Sequence, residues 1–200
     1  MKCIIQIGSH VGDSSNDPIF NKVDENDKVI LVEPVPYLFE ILKENYNKKY
    51  PNNKFIFINK AVSNINSRIR LTIPSLKNNF QEYPYWASQL SSVNSEHIKN
   101  HLPTLITEDI LVESTTLNKI IEEYNIEKID LLHIDTEGHD YYIIMDYNFN
   151  IKPRQIMFEH AHMDGFLIHN QKYNKLIEHL NKLGYTIIYK DTEDTVVELK

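Results

Sequence analysis

Three carboxylates, Asp135, Glu137 and Asp140, fall within six residues, with Gly138 among them. The run just before them, Ile129-Asp130-Leu131-Leu132-His133-Ile134, is mostly apolar and branched. Such a run predicts a strand buried on both faces, as in a parallel sheet. In open α/β sheets, ligands bind beyond the carboxyl ends of the strands. The acids are therefore placed for chemistry. Capping of the next helix would account for Asp135 or Thr136 alone, but not for three acids and a glycine. A second polar group, Glu159-His160-Ala161-His162, follows another apolar run, Gln155 to Phe158.

A third site element lies at the other end of the chain. Gly8-Ser9-His10-Val11-Gly12 follows the apolar run Lys2 to Ile7. Glycines at both ends let the backbone turn tightly and approach a ligand closely. Gly-x-x-x-Gly suits any nucleotide-like ligand and also some structural turns. Glu33 sharpens the reading, because it ends the next apolar run, Lys28 to Val32. A carboxylate about twenty residues beyond such a turn can accept bonds from both ribose hydroxyls. The bland alternative is a solvated acid before a turn.

The elements that must position these residues alternate. Strands are predicted over Lys2–Ile7, Lys28–Val32 and Lys54–Ile58. Pro36 opens a helix whose Leu38, Phe39, Leu42 and Tyr46 share a face. Ser14, Ser15, Asn16, Asp17 and Pro18 predict the start of a short helix through Ile19, Phe20 and Val23. Strand, helix, strand, helix, strand implies a parallel sheet. Arg68 to Ile73 alternates and predicts a hairpinned extra strand. Residues 74–112 carry three prolines, the aromatics Tyr83, Tyr85 and Trp86, and no clear period. Such a stretch is expected to be a lid or acceptor-binding insert. Order returns at Ile110 to Glu113. A helix capped by Thr115 or Thr116 follows, then the central strand and a helix through Tyr141 to Met145. A last amphipathic helix stops at Gly184. Tyr185–Tyr189 and Thr195–Leu199 predict an antiparallel strand pair.

Composition narrows the class. The 200 residues favour one domain, 1–200, and 42% hydrophobic residues are ordinary for a globular chain. The net charge is −7 and only Arg68, Arg70 and Arg154 are arginines, so a nucleic-acid partner is not expected. No apolar run is long enough to cross a membrane, and the first residues enter a strand rather than a signal peptide. The single cysteine, Cys3, reads as core filler, and a cytoplasmic setting is expected.

The ordered set of motifs resembles the FkbM family. The residues that carry it are Ile7 to Gly12, Val32-Glu33-Pro34-Val35-Pro36 leading into Leu42 and Asn45, Ala61-Val62-Ser63, Thr115-Thr116-Leu117, and Ile129 to Gly138. Those proteins are S-adenosylmethionine-dependent methyltransferases, acting mostly on hydroxyl oxygens of sugars and other small acceptors. The resemblance covers about residues 3 to 160. This chain differs from the family's pattern at Gln6, His10, His133 and Asp140. The implied fold is α/β, a Rossmann-like class I methyltransferase with a mostly parallel seven-stranded sheet, helices on both faces and an antiparallel C-terminal strand pair.

The resemblance also implies roles. The turn formed by Gly8, Ser9, His10 and Gly12 would approach the methionine part of S-adenosylmethionine. Glu33 and Pro34 would lie at the ribose, and Ala61 and Val62 near adenine. Asp135, with Glu137, would lie below the sulfonium end. In-line methyl transfer depends mostly on alignment, and a base that takes the hydroxyl proton helps. Asp135, Glu137, His139, Glu159 and His160 are candidates. Asp135 and Glu159 are favoured because both close adjacent strands, with His160 beside them. A divalent ion on Glu159, His160, His162 and Asp135 is the lesser reading. The expected acceptor is a sugar or nucleotide-sugar, and a homodimer is compatible with the sequence. The rivals are an NAD-type oxidoreductase and a non-catalytic module that only binds the cofactor.

Overall fold

The computed structural model describes residues 1–14, 17–165 and 170–200. Its larger sheet is built from β1 (Cys3–Ile7), β2 (Lys28–Val32), β3 (Ile56–Ile58), β7 (Leu131–Ile134), β8 (Gln155–Glu159), β9 (Tyr185–Lys190) and β10 (Asp194–Leu199). Their spatial order is β3-β2-β1-β7-β8-β10-β9. The first five run parallel, and β10 lies antiparallel to both β8 and β9. The smaller sheet has the order β4-β6-β5, from β4 (Ala61–Val62), β5 (Arg68–Pro74) and β6 (Thr107–Thr115). This is the mixed α/β architecture expected, with the antiparallel C-terminal pair in place.

Every residue of β1 is buried, because the strand has a parallel neighbour on each side and helices on each face. Successive side chains point to opposite faces. Ile5 and Ile7 enter a cluster with Leu132, Ile134, Ile156 and Phe158. Helices α3 (Leu117–Glu123), α4 (Asp140–Asp146) and α5 (Gln171–Lys182) cover that face through Ile120, Ile144, Leu176 and Leu180. Ile4 turns the other way and meets Val29, Leu31, Leu42 and Tyr46. Leu42 and Tyr46 belong to α1 (Pro36–Lys49), which has proline in its first turn and buries Leu38, Leu42 and Tyr46 at four-residue spacing. Tyr46 meets Phe20 edge-on at 4.9 Å and Phe55 at 5.0 Å.

Three expectations change. The short helix after the glycine turn does not form: residues 17–23 make turns. There the Asp17 carboxylate accepts the amides of Ile19 and Phe20, the bonds of a helix cap, but the chain turns at Lys22, whose amide donates to the Ile19 carbonyl. Ser15 and Asn16 of the predicted caps lie outside the described residues. The irregular stretch is also narrower than 74–112, because β6 starts at Thr107 and pairs with β5 from Arg68↔Glu113 to Pro74↔Thr107. Between them, Asn94 caps a helix absent from the sequence reading, α2 (Ser95–His101), by accepting the amide of Glu96. Thr116, rather than Thr115, caps α3 through the amide of Lys119.

Candidate active site

At the end of β1 the chain reverses at Gly8, with φ +80°. The amides of Gly8 and Ser9 both donate to the carbonyl of Val32 at 3.0 Å, and the amide of Asp135 donates to Ile7 at 3.0 Å. Ser9 Oγ donates to the Gln6 carbonyl and accepts the amide of Val32. The turn is thus clamped between the tips of β2 and β7. Its second glycine faces away from the cavity: at Gly12, φ +72°, a Cβ would stand 2.5 Å from the Tyr46 ring and 2.9 Å from Leu42.

Glu33 completes the clamp from β2. One carboxylate oxygen accepts the amide of His10 at 2.8 Å and the other that of Val35 at 2.8 Å. The amide of Glu33 itself donates to Ile58. With 4% of its surface exposed, the carboxyl is pushed up to about 7 by burial, against the pull of the two amides. Each oxygen retains acceptor capacity for a further donor.

These residues face a cavity of about 940 Å³, its open mouth included. Gly8, Ser9, His10, Glu33, Pro34, Ala61, Val62, Asp135 and Glu137 line it together. Of the proposed site residues, Gly12, Glu159 and His160 are not among its walls. His133 and His139 are, and of these two only His139 is a candidate base. His139 Nε2 lies 3.0 Å from Ser63 Oγ, and burial, then the charge of Lys172, lowers the pKa of this imidazole. From the insert, Gln89, Ser91 and Val93 add a wall. Tyr85 is exposed, and Trp86 joins a satellite cluster with Leu90, Ile98 and Leu105.

The acids beyond β7 have distinct surroundings. The Asp135 carboxylate faces the void and has no hydrogen-bond partner among the described residues. Restricted hydration, and then the charges of Glu137 and Asp140, hold its carboxyl well above the usual range. Asp140 is buried. It accepts the Thr136 amide and hydroxyl and the Glu159 amide, tying the loop to β8. Asp135 and Thr136 therefore do not cap α4, whose preceding residue is His139. Glu137, at φ +53°, reaches the insert: its carboxylate is 2.6 Å from His97 Nε2, and its carbonyl accepts the Ser92 hydroxyl. Burial pushes Glu137 up to about 8.

At the end of β8, Glu159 Oε1 stands 3.2 Å from His162 Nε2. His160 is fully buried, its Nδ1 3.1 Å from Thr195 Oγ1 and its ring against Tyr173. His97 and His101 were missed in the sequence. Their spacing of four residues was the available signal, because it puts both side chains on one helix face.

A family model described as the methyltransferase FkbM domain matches residues 6–187. The chain belongs to the FkbM methyltransferase family. No curated protein sequence matches it significantly. Among solved structures it is similar to the FkbM methyltransferase of Methylobacillus flagellatus KT, with 13% identity and TM-score 0.53, over 100% of this chain and 43% of that one. It thus spans less than half of that FkbM protein. A Staphylococcus aureus protein assigned as a caffeoyl-CoA O-methyltransferase gives 14% identity and TM-score 0.52, over 100% and 76% of the two chains. An O-methyltransferase from Bacillus cereus, in complex with SAH, gives 10% identity and TM-score 0.50, over 100% and 74%. At these identities the likeness is one of fold, and that fold is the Rossmann-like class I methyltransferase fold. No helix among the described residues is long and apolar enough to cross a membrane.

Proposed function

We propose that this FkbM protein moves the methyl group of S-adenosylmethionine to a hydroxyl oxygen of a small, sugar-like acceptor. The observation that carries the reading is the charge of the cavity. Asp17, Glu33, Asp135 and Glu137 line it, against one lysine among the described residues, Lys60. Crowded carboxylates favour a ligand that brings positive charge. S-adenosylmethionine carries a sulfonium and an ammonium, whereas the diphosphate of NAD would be repelled. That same charge pattern speaks against the oxidoreductase alternative.

The residues fit the cofactor at two points. Glu33 retains lone pairs for two ribose hydroxyls, and the Asp135 carboxyl faces the void without a partner among the described residues. When bound, the cofactor supplies an electrophilic methyl. The chain's task is then to hold the acceptor oxygen in line with it and to take its proton. Asp135 and His139 line the cavity and can do this, Asp135 as the first candidate. Glu159 stands behind them and acts through Asp140 and the loop. The wall from Gln89, Ser91 and Val93 supports a role for the insert in choosing the acceptor, and its polar groups suit a hydroxylated molecule. The single buried cysteine supports an intracellular setting.

Calorimetric titration with S-adenosylhomocysteine, with NAD as control, tests this. Binding of the first alone is expected, followed by methylation in a screen of nucleotide-sugars. NAD binding alone would overturn the reading. Cofactor binding with no turnover on any hydroxylated acceptor would leave a binding module.

A further inference from the structure

His97, His101, Glu137 and His162 converge on one point at the back of the acid loop. One ligand-capable atom from each lies within 4.8 Å of all the others. The three imidazole rings meet edge-on, 4.7 to 4.8 Å apart. Glu137 closes the set, 2.6 Å from His97. Three separate stretches supply these groups: α2 from the insert, the loop after β7 and the loop after β8. Three of the nine histidines in the chain thus gather around one carboxylate.

From this convergence we propose that the four side chains bind a divalent transition-metal ion of the zinc class. Three imidazole nitrogens and one carboxylate oxygen are a donor set that such ions favour over magnesium or calcium. His97 and His101 stand four residues apart on one face of α2, the spacing that lets a helix offer two imidazoles to one ion. Ligand bonds of about 2.1 Å separate tetrahedral donors by about 3.4 Å, so closing on an ion requires only small side-chain rotations. The backbone is already committed. Glu137 holds φ +53°, and Gly138 packs so closely that a Cβ would stand 2.8 Å from the His162 carbonyl. A left-handed residue that is not glycine costs energy and persists where the surroundings demand it.

The ion would staple the insert to the carboxyl edge of the large sheet. Glu137 also lines the cavity, so the staple sets the distance between the acid loop and the insert wall. Binding of this ion does not depend on the methyl-transfer reading, and its readouts need no acceptor.

The chain carries one tryptophan, Trp86, whose ring lies 5.8 Å from that of His101. It is a built-in reporter. Full-length protein stripped with a chelator is titrated with Co2+ and with Zn2+. Stoichiometric uptake is expected, with intense visible bands from low-symmetry Co2+, quenching of Trp86 fluorescence by Co2+, and a higher melting temperature with Zn2+. His97→Ala and His101→Gln should each weaken Co2+ binding by more than about tenfold. Circular dichroism identifies unfolded variants. If a variant does not fold, the wild-type Co2+ spectrum and Trp86 quenching decide alone. Absence of quenching, or only the pale spectrum of hydrated Co2+, would overturn the proposal.

Discussion

Gly8 runs so close to Asp135 that a Cβ on the glycine would overlap the aspartate's carbonyl oxygen and stand 2.9 Å from its carbonyl carbon. The glycine turn and the acid loop are therefore one packed unit, joined backbone to backbone. At φ +80° a side chain would add strain of at least about 1–2 kcal/mol before the clash is counted. Gly8→Ala should lower the melting temperature and abolish binding of S-adenosylhomocysteine. A variant of unchanged stability would show that the turn can part from β7.

Glu33 is predicted to hold the ribose. Glu33→Ala should weaken S-adenosylhomocysteine binding by about 1.5–3 kcal/mol, the range for hydrogen bonds to a charged group. Unchanged affinity in a folded variant would remove the assignment.

The same residue predicts a pH dependence. In the free protein its carboxyl is raised to about 7 from 4.5. Ribose hydroxyls donate to the ionised form, so affinity should rise as pH goes from 6 to 8 and level off above. Glu33→Gln should flatten this rise. Stability runs the other way: a raised acid favours the fold most at low pH, and that contribution falls as pH climbs from 4.5 to 7. A calorimetric pH series on both proteins checks the signs.

Asp135→Asn should lower kcat more than it raises KM for the acceptor. The substitution keeps the shape but removes the proton acceptor facing the void. An unaffected rate would take Asp135 out of the mechanism.

His139 and His160 should separate by readout. His139 lines the cavity, so His139→Ala should act mainly on turnover. His160 is buried against Thr195 and Tyr173. His160→Gln should act mainly on stability, by about 1–3 kcal/mol for a disturbed buried hydrogen bond. The opposite pattern would return His160 to the chemistry.

The strand-helix alternation, the buried central strand, the C-terminal pair and the glycine turn could all be read from residue order. Each is written locally: an apolar run of strand length, a proline at a helix start, a glycine where φ turns positive. Glu33 and Asp135 were legible for a related reason. A parallel sheet brings the ends of neighbouring strands to one edge, so a residue at a strand tip reaches the cavity at that edge.

One miss is local: Asp17 caps a turn that closes from Lys22 to Ile19 and does not extend into a helix. The others share one cause: they depend on partners far away in sequence. Glu159 and His160 follow the right strand, yet Asp140 and Thr195 draw the chain beyond β8 away from the cavity wall. Gly12 serves α1, where Tyr46 and Leu42 leave no room for a side chain. Above all, the sequence separates His97 and His101 from Glu137 and His162 by 36 to 65 positions. Residue types and their spacing determined the fold and the edge where the site lies. Only tertiary packing decided which side chains of that edge share a cavity and which imidazoles meet behind it, because convergence is a property of three-dimensional distance and not of order along the chain.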